Sequence, residues 1–194
     1  MTLTLWQLEL IPWYVFAIYW LVSSLRLKQT KVDEKPWERS AHVAVMILAF
    51  LLLFSDSLRI GALSSRFVPE RGWIQEVGIA FTCLGVAVAV WARYSLGQFW
   101  SARVMLKVDH QLIRSGPYAY VRHPIYTGLF LATAGTALVV GEWRAVVGVL
   151  LTLVAHSRKA AKEEALLATE FGEQYQDYRK QTGFLTPRVR NPLR

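Results

Sequence analysis

The chain has 194 residues, of which 54% are hydrophobic and only 19% charged, a composition too apolar for an ordinary soluble domain of this size. The formal charge of +8 raises nucleic acid as a partner, but the basic residues are distributed by segment and form no recognition helix, which argues against one. A single cysteine, Cys83, excludes a disulfide scaffold and a cysteine metal site.

Five apolar clusters follow one another along the chain: Leu5 to Leu25, His42 to Leu63, Trp73 to Ala92, Ile125 to Val140 and Trp143 to His156. The first three approach the roughly 20 residues a helix needs to cross a bilayer. Leu5 to Leu25 lacks the basic start and the small-residue cleavage site of a signal peptide and reads as a retained span. Glu9 and Pro12 are expected near its outer end, where a carboxylate and a helix irregularity cost least. In the second cluster, Asp56 and Arg59 are expected to share a helix face and neutralise one another, and His42 to sit at the inner interface.

The third cluster is rich in small residues, among them Gly78, Ala80, Gly85, Ala87 and Ala89, and the fourth repeats the pattern with Gly128, Ala132, Ala134, Gly135 and Ala137. Small residues let helix backbones approach closely, so these two helices are expected at the centre of the bundle. Trp6, Trp13, Trp20, Trp73, Trp91, Trp100 and Trp143 fall near span ends and predict an aromatic belt.

The fourth and fifth clusters are separated by Gly141 and Glu142 and predict a tight helical hairpin. Its second helix has no Gly or Pro from Ser157 to Phe171 and should extend roughly 43 Å, protruding into water. The expected fold is therefore all-α: a polytopic bundle of about five transmembrane helices with a C-terminal cytosolic helix. With the N-terminus outside, five spans put 18 of the 22 basic residues inside, the bias that cytoplasmic loops carry.

The densest polar motif begins at the fourth helix. Pro124 suits a first helical turn because its missing N–H would have no partner there, which makes His123 the expected N-cap, with Arg122 before it. Helix N–H groups, the helix dipole and Arg122 together predict an anion-binding turn, with His123 neutral. The residues leave two readings open: a reactive site, or simple attachment to phospholipid phosphate.

Topology must bring the end of the fifth helix beside this turn, and with it Glu163 and Glu164. These lie about 100° apart on the helix, so one is expected to face Arg122 and the other solvent. Here too a solvated charge run is the alternative. Phe171, Tyr175 and Tyr178 have helical spacing and predict a short helix folded back over the hairpin, ended by Gly183 and Pro187. No nucleotide-binding, metal-binding or nucleophile-elbow motif competes; His42, His110, His123 and His156 are scattered.

Arg122-His123-Pro124-Ile125-Tyr126 followed by Glu163-Glu164 resembles the pattern of the isoprenylcysteine carboxyl methyltransferase family, whose small prokaryotic members are about this length. Leu96-Gly97-Gln98-Phe99-Trp100-Ser101, Leu112 to Tyr118, and the tail from Phe171-Gly172 to Tyr178-Arg179 look like further family signatures. The resemblance covers roughly residues 91–190, a catalytic core within a single domain of residues 1–194.

The resemblance implies an integral-membrane methyltransferase using S-adenosylmethionine, with its active site and C-terminus cytoplasmic, in a prokaryotic plasma (inner) membrane. His123 and Tyr126 map to cofactor contacts, with Tyr118 and Tyr120 as wall residues. Glu163 and Glu164 map to positioning of cofactor or substrate, and Arg122 and Arg179 to holding a carboxylate. The acceptor implied is the carboxylate of a lipidic molecule arriving from the bilayer among membrane lipids. The alternatives are an amine-directed phospholipid methyltransferase, a nicotinamide-dependent reductase on a shared core, and a non-enzymatic membrane scaffold. The sequence carries no signal for an oligomeric state.

Overall fold

The computed structural model describes residues 3–25, 36–100 and 111–188. Ser101 of the Leu96 signature, His110, and the basic residues Arg26, Lys28, Lys31, Lys35, Arg103, Lys107, Arg190 and Arg194 lie outside the described residues.

The described chain is all-α, with helices α1 (Leu5–Ser24), α2 (Pro36–Phe54), α3 (Gly72–Leu96), α4 (Pro124–Val140), α5 (Trp143–Phe171) and α6 (Glu173–Gln181). Thr4 caps α1: its hydroxyl accepts from the Gln7 amide and the Gln7 side chain accepts from the Thr4 amide, satisfying two end donors reciprocally. The α1 face formed by Tyr14, Val15, Ile18, Leu21 and Val22 is exposed, as a surface turned to lipid requires.

The expected count of about five transmembrane helices is corrected. Three helices among the described residues are long and apolar enough to cross a membrane, Leu5–Ser24, Trp37–Phe54 and Gly72–Phe99, which supports an integral, multi-pass membrane protein. Helix α4 is apolar but has 17 residues, about 25 Å at the helical rise, short of a hydrocarbon core about 30 Å thick. Helix α5 has 29 residues, but its second half carries Arg158, Lys159, Lys162, Glu163, Glu164 and Glu170. The α4–α5 hairpin is held by packing: Ala132, Thr133, Gly135 and Thr136 of α4 are all buried.

Helices α3 and α4 meet along small residues at heptad-like spacing. A Cβ placed on Gly85 would lie 2.5 Å from the Gly128 carbonyl oxygen, and one on Gly135 would lie 2.5 Å from that of Gly78. The backbones touch at both levels, so nothing larger than glycine fits without separating the helices.

The second cluster ends earlier than expected. Helix α2 stops at Phe54, and the Ser55 hydroxyl caps a 3-10 turn at Asp56–Leu58. Short polar side chains compete with helical backbone bonds there. Arg59 pairs chiefly with Glu142 at the hairpin tip (2.6 Å) and more loosely with Asp56 (3.5 Å). Arg144 donates to Glu142 at 2.6 Å and to the Leu52 carbonyl at 2.7 Å. The tip therefore locks onto the link between α2 and α3, where the Phe67 amide donates to the Gly141 carbonyl at 2.9 Å.

Two interfacial expectations also change. Glu9 is completely buried; its Oε1 accepts from Thr136 at 2.6 Å, Thr82 at 2.9 Å and Trp13 at 3.3 Å. It ties α1 to α3 and α4 and does not face the outer interface. Trp13 and Trp100 are buried core residues, Trp13 with Phe16, Phe50 and Phe54 edge-on around it. Trp6, Trp73, Trp91 and Trp143 remain exposed, as a belt requires.

Candidate active site

The turn before α4 is built by the tail. A 3-10 turn at Gly116–Ala119 leads to Val121, which bridges Gly183. The amides of Arg122 and His123 donate to the carbonyls of Gly183 (2.9 Å) and Phe184 (3.3 Å), and the Gly183 amide returns a bond to Tyr120 (3.1 Å). The Thr127 hydroxyl donates to the Leu185 carbonyl at 2.6 Å. Residues 182–185 thus lie as a strap across the start of α4. Both amides preceding Pro124 are already bonded to the tail.

His123 is the N-cap residue and Pro124 opens the helix, as the spacing predicts, although His123 makes no side-chain cap bond. Its ring is turned to α5. Nε2 lies 3.3 Å from Glu164 Oε1 and Nδ1 lies 3.6 Å from Glu163 Oε2. Arg122 donates from Nε to Glu164 Oε1 at 2.6 Å and from Nη1 to the carbonyls of Thr182 (2.5 Å) and Arg179 (3.2 Å). Tyr126 donates to Glu163 Oε1 at 2.7 Å, and its ring stacks on that of His123. Both glutamates point inward, contrary to the expectation that one would face solvent, because His123 sits between them and offers each a nitrogen.

This geometry also works against the neutral His123 expected from the sequence. A neutral imidazole has one N–H, whereas carboxylates are acceptors only and face both ring nitrogens. Burial alone would lower the His123 pKa, but Glu163 and Glu164 outweigh it and raise the pKa above its ordinary value. For Glu164, burial works upward, yet His123 and Arg122 hold it down to about 2. Glu163 is likewise lowered, with burial opposed by His123, Lys159 and Tyr126. The cluster pairs two carboxylates held ionised with a guanidinium and an imidazole biased toward its protonated form, with side-chain exposure of 9% at Arg122, 12% at Glu164 and 24% at Glu163.

The other residues singled out from the sequence fall around this array. Arg179, on α6, lies 3.8 Å from Glu164 and is half exposed. Tyr118 is buried against Ala92, Trp100 and Ile125, behind the turn, and its carbonyl accepts from Tyr178 at 2.8 Å. The ring of Tyr120 is exposed, so the structure does not bring it into the cluster. Tyr175 is buried, and its hydroxyl has no partner among the described residues.

Two contributors carry no role in the sequence reading. His156 stands 4.7 Å, ring to ring, from Tyr126, and its Nδ1 donates to the Thr152 carbonyl at 2.9 Å. Helical spacing places it on one α5 face with Glu163, seven residues on, but gives it no partner across the bundle. The carbonyls of Thr182, Gly183 and Phe184 leave no trace in residue type.

The array fits S-adenosylmethionine by its donor set. Glu163 and Glu164 suit an ammonium or sulfonium, Arg122 and Arg179 suit a carboxylate, and the unpartnered Tyr175 hydroxyl is a polar group left over beside them.

The sequence model of the isoprenylcysteine carboxyl methyltransferase family matches residues 78–169. Over 111 residues the chain is 39% identical to a protein-S-isoprenylcysteine O-methyltransferase of Schizosaccharomyces pombe, covering 55% of this chain and 46% of that protein. The Mus musculus protein of the same name is 31% identical over 146 residues, 68% of this chain and 52% of its own length. The chain therefore spans about half the length of the curated relatives it matches. Among solved structures, the eukaryotic intramembrane Ras methyltransferase ICMT superposes with a TM-score of 0.57 at 22% identity, covering 93% of this chain and 67% of that one, which shows the fold. Over residues 78–169, which hold α4 and the Glu163–Glu164 pair of α5, the chain resembles the isoprenylcysteine carboxyl methyltransferase family.

Proposed function

We propose that this chain is an S-adenosylmethionine-dependent membrane methyltransferase that esterifies the carboxylate of a lipidic, isoprenylcysteine-type acceptor. The observation that carries the reading is the hydrogen-bonded polar array of Arg122, His123, Tyr126, Glu163 and Glu164, closed by the tail at one end of an apolar bundle. The family resemblance supports it further.

When bound, S-adenosylmethionine supplies an activated methyl group on a sulfonium. Glu163 and Glu164 would hold and orient its cationic groups, and His123 and Tyr126 would line its contact surface, with Tyr118 backing the turn. Arg122 and Arg179 would fix a carboxylate, that of the cofactor or of the acceptor. We place this catalytic core in residues 91–190 of a single domain spanning residues 1–194.

A carboxylate acceptor is already ionised at neutral pH, so no base is required: an oxygen–carbon bond forms as the sulfur–carbon bond breaks, and the sulfur leaves neutral. The protein's task is alignment and exclusion of water. An amine acceptor would first have to lose a proton, yet both glutamates are held below the usual carboxylate range, Glu164 at about 2, which disfavours either as a base.

The concentration of basic residues at the array's end supports a cytoplasmic site with the N-terminus outside, and the resemblance to small prokaryotic members supports a prokaryotic plasma membrane. Purified protein in lipid nanodiscs, given methyl-labelled cofactor, should form a base-labile methyl ester on an S-prenylcysteine and leave phosphatidylethanolamine unlabelled. Cofactor binding with label transferred only to the amine lipid would overturn the ester assignment.

A further inference from the structure

Two helices change character at one level of the bundle. The apolar run of α2 begins at Trp37, which is exposed. On α5, Val154 is the last exposed large apolar side chain among the described residues, and Arg158, one turn further, opens the charged half. The Glu38–Lys162 ion pair at 2.8 Å and the His42 and His156 rings 5.5 Å apart fix the two helices antiparallel in this register.

A groove of about 320 Å³ opens between them. Val45 and Val154 line its apolar end, and Trp37, Arg158 and Lys162 line its polar end. From Trp37 to Val45 is about 12 Å along the helix. The groove therefore runs from headgroup depth, which an exposed tryptophan marks, into the depth of the acyl chains. Its volume is at the lower end for small-molecule sites, enough for a phosphate, a glycerol and the top of one chain.

The charges at the polar end are unequally engaged. Glu38 is taken by Lys162, and Lys159 is drawn to Glu163, whose pKa it lowers. Arg158 is exposed and has no ion pair or hydrogen bond among the described residues. A guanidinium binds phosphate through paired N–H donors. An ammonium headgroup would find the groove's one carboxylate, Glu38, already matched.

We propose that this groove holds an anionic glycerophospholipid as a resident ligand, with its phosphodiester on Arg158 and the top of one acyl chain between Val45 and Val154. Basic pockets between membrane helices suit such headgroups. The lipid would bridge α2 and α5 beside the exposed Glu38–Lys162 pair, which by itself contributes little. The inference is independent of the methyltransferase reading, because this lipid is bound and not methylated.

The test uses full-length protein in phosphatidylcholine nanodiscs doped with a phosphatidylglycerol that carries a diazirine near the top of one acyl chain. Labelling is expected within residues 41–45 and 154–158. Unlabelled phosphatidylglycerol should compete, whereas added phosphatidylcholine, inorganic phosphate and S-prenylcysteine should not. Arg158→Gln should weaken labelling about fivefold, the worth of one basic residue at an anionic membrane surface. Lys180→Gln, which removes an equal charge outside the groove, should leave labelling unchanged. Ala41→Trp, on an exposed position of α2 that lines the groove, should block labelling with Arg158 still in place. All variants are compared at matched helical circular dichroism. Labelling spread over other helices, an equal loss in Lys180→Gln, or wild-type labelling in either Arg158→Gln or Ala41→Trp would overturn the proposal. Equal competition by phosphatidylcholine would remove the selectivity for an anionic head, and competition by S-prenylcysteine would give the groove to the methyl acceptor; either result also overturns it.

Discussion

Arg122 and Glu164 are joined at 2.6 Å across 42 residues of sequence, with side chains only 9% and 12% exposed. This pair fastens the α4 turn to the protruding half of α5, and the same guanidinium fastens the tail through the Thr182 carbonyl at 2.5 Å. One side chain thereby holds three segments, so its removal should be felt in both stability and activity.

Arg122→Ala strands the Glu164 carboxylate beside His123 and releases the tail. Breaking one partner of such a buried pair costs about 3–5 kcal/mol. A lowered unfolding temperature and loss of methyl transfer are expected. Arg122→Lys keeps the charge but cannot serve Glu164 and two carbonyls in the same plane, and should recover stability better than turnover.

Glu163→Gln and Glu164→Gln keep the side-chain volume and remove the charge. Both should abolish turnover while the helical circular dichroism stays unchanged. Wild-type rates in both variants would remove the glutamates from the site.

The pH dependence has two arms. Glu164, with a folded pKa of about 2 against an ordinary 4.5, contributes stability that is complete above pH 4.5 and lost as pH falls toward 2. His123, raised above 6.5, contributes stability that is complete below pH 6.5 and lost as pH climbs through its folded pKa. Nuclear magnetic resonance titration of labelled histidine should place the His123 midpoint above 6.5. In Glu164→Gln it should fall, because burial then meets only one carboxylate.

Gly85→Leu tests the α3–α4 contact. Overpacking costs about 1–3 kcal/mol in a core that can adjust, and more is expected here because the obstacle is backbone: the Gly128 oxygen would lie 2.5 Å from the new Cβ. Thermal unfolding in detergent should show the loss, while Gly72→Ala, where a Cβ meets nothing within 4 Å, should be nearly silent.

Glu9→Leu removes the acceptor that Trp13, Thr82 and Thr136 share; Trp13 keeps Thr136, Thr82 the Gly78 and Ala132 carbonyls, and Thr136 the Ala132 carbonyl, so the expected cost is the net loss of about 0.5–1.5 kcal/mol per hydrogen bond. Glu9→Gln retains an acceptor oxygen for them and should lie much closer to wild type in the same unfolding measurement.

Much of this was legible in residue order. Apolar runs of about 20 residues named the first three helices, the Gly141-Glu142 break named the hairpin, and His123-Pro124 marked the start of α4, since each depends on neighbours a few positions apart. Hydropathy misjudged the hairpin itself: α4 is apolar because most of it is packed inside the bundle, while α5 turns charged past its middle, and composition does not separate burial in protein from burial in lipid. Glu9 failed for the same reason, its cost being met by three partners that periodicity does not place. The Arg122-His123 turn could be recognised as polar and adjacent to Glu163-Glu164, but its charge state required three dimensions. Only the fold sets an acceptor opposite each ring nitrogen of His123 and spends the neighbouring amides on the strap at residues 182–185. Residue identity determined which groups meet at the start of α4; tertiary packing biased their protonation, because a pKa depends on distances and burial that no spacing along the chain contains.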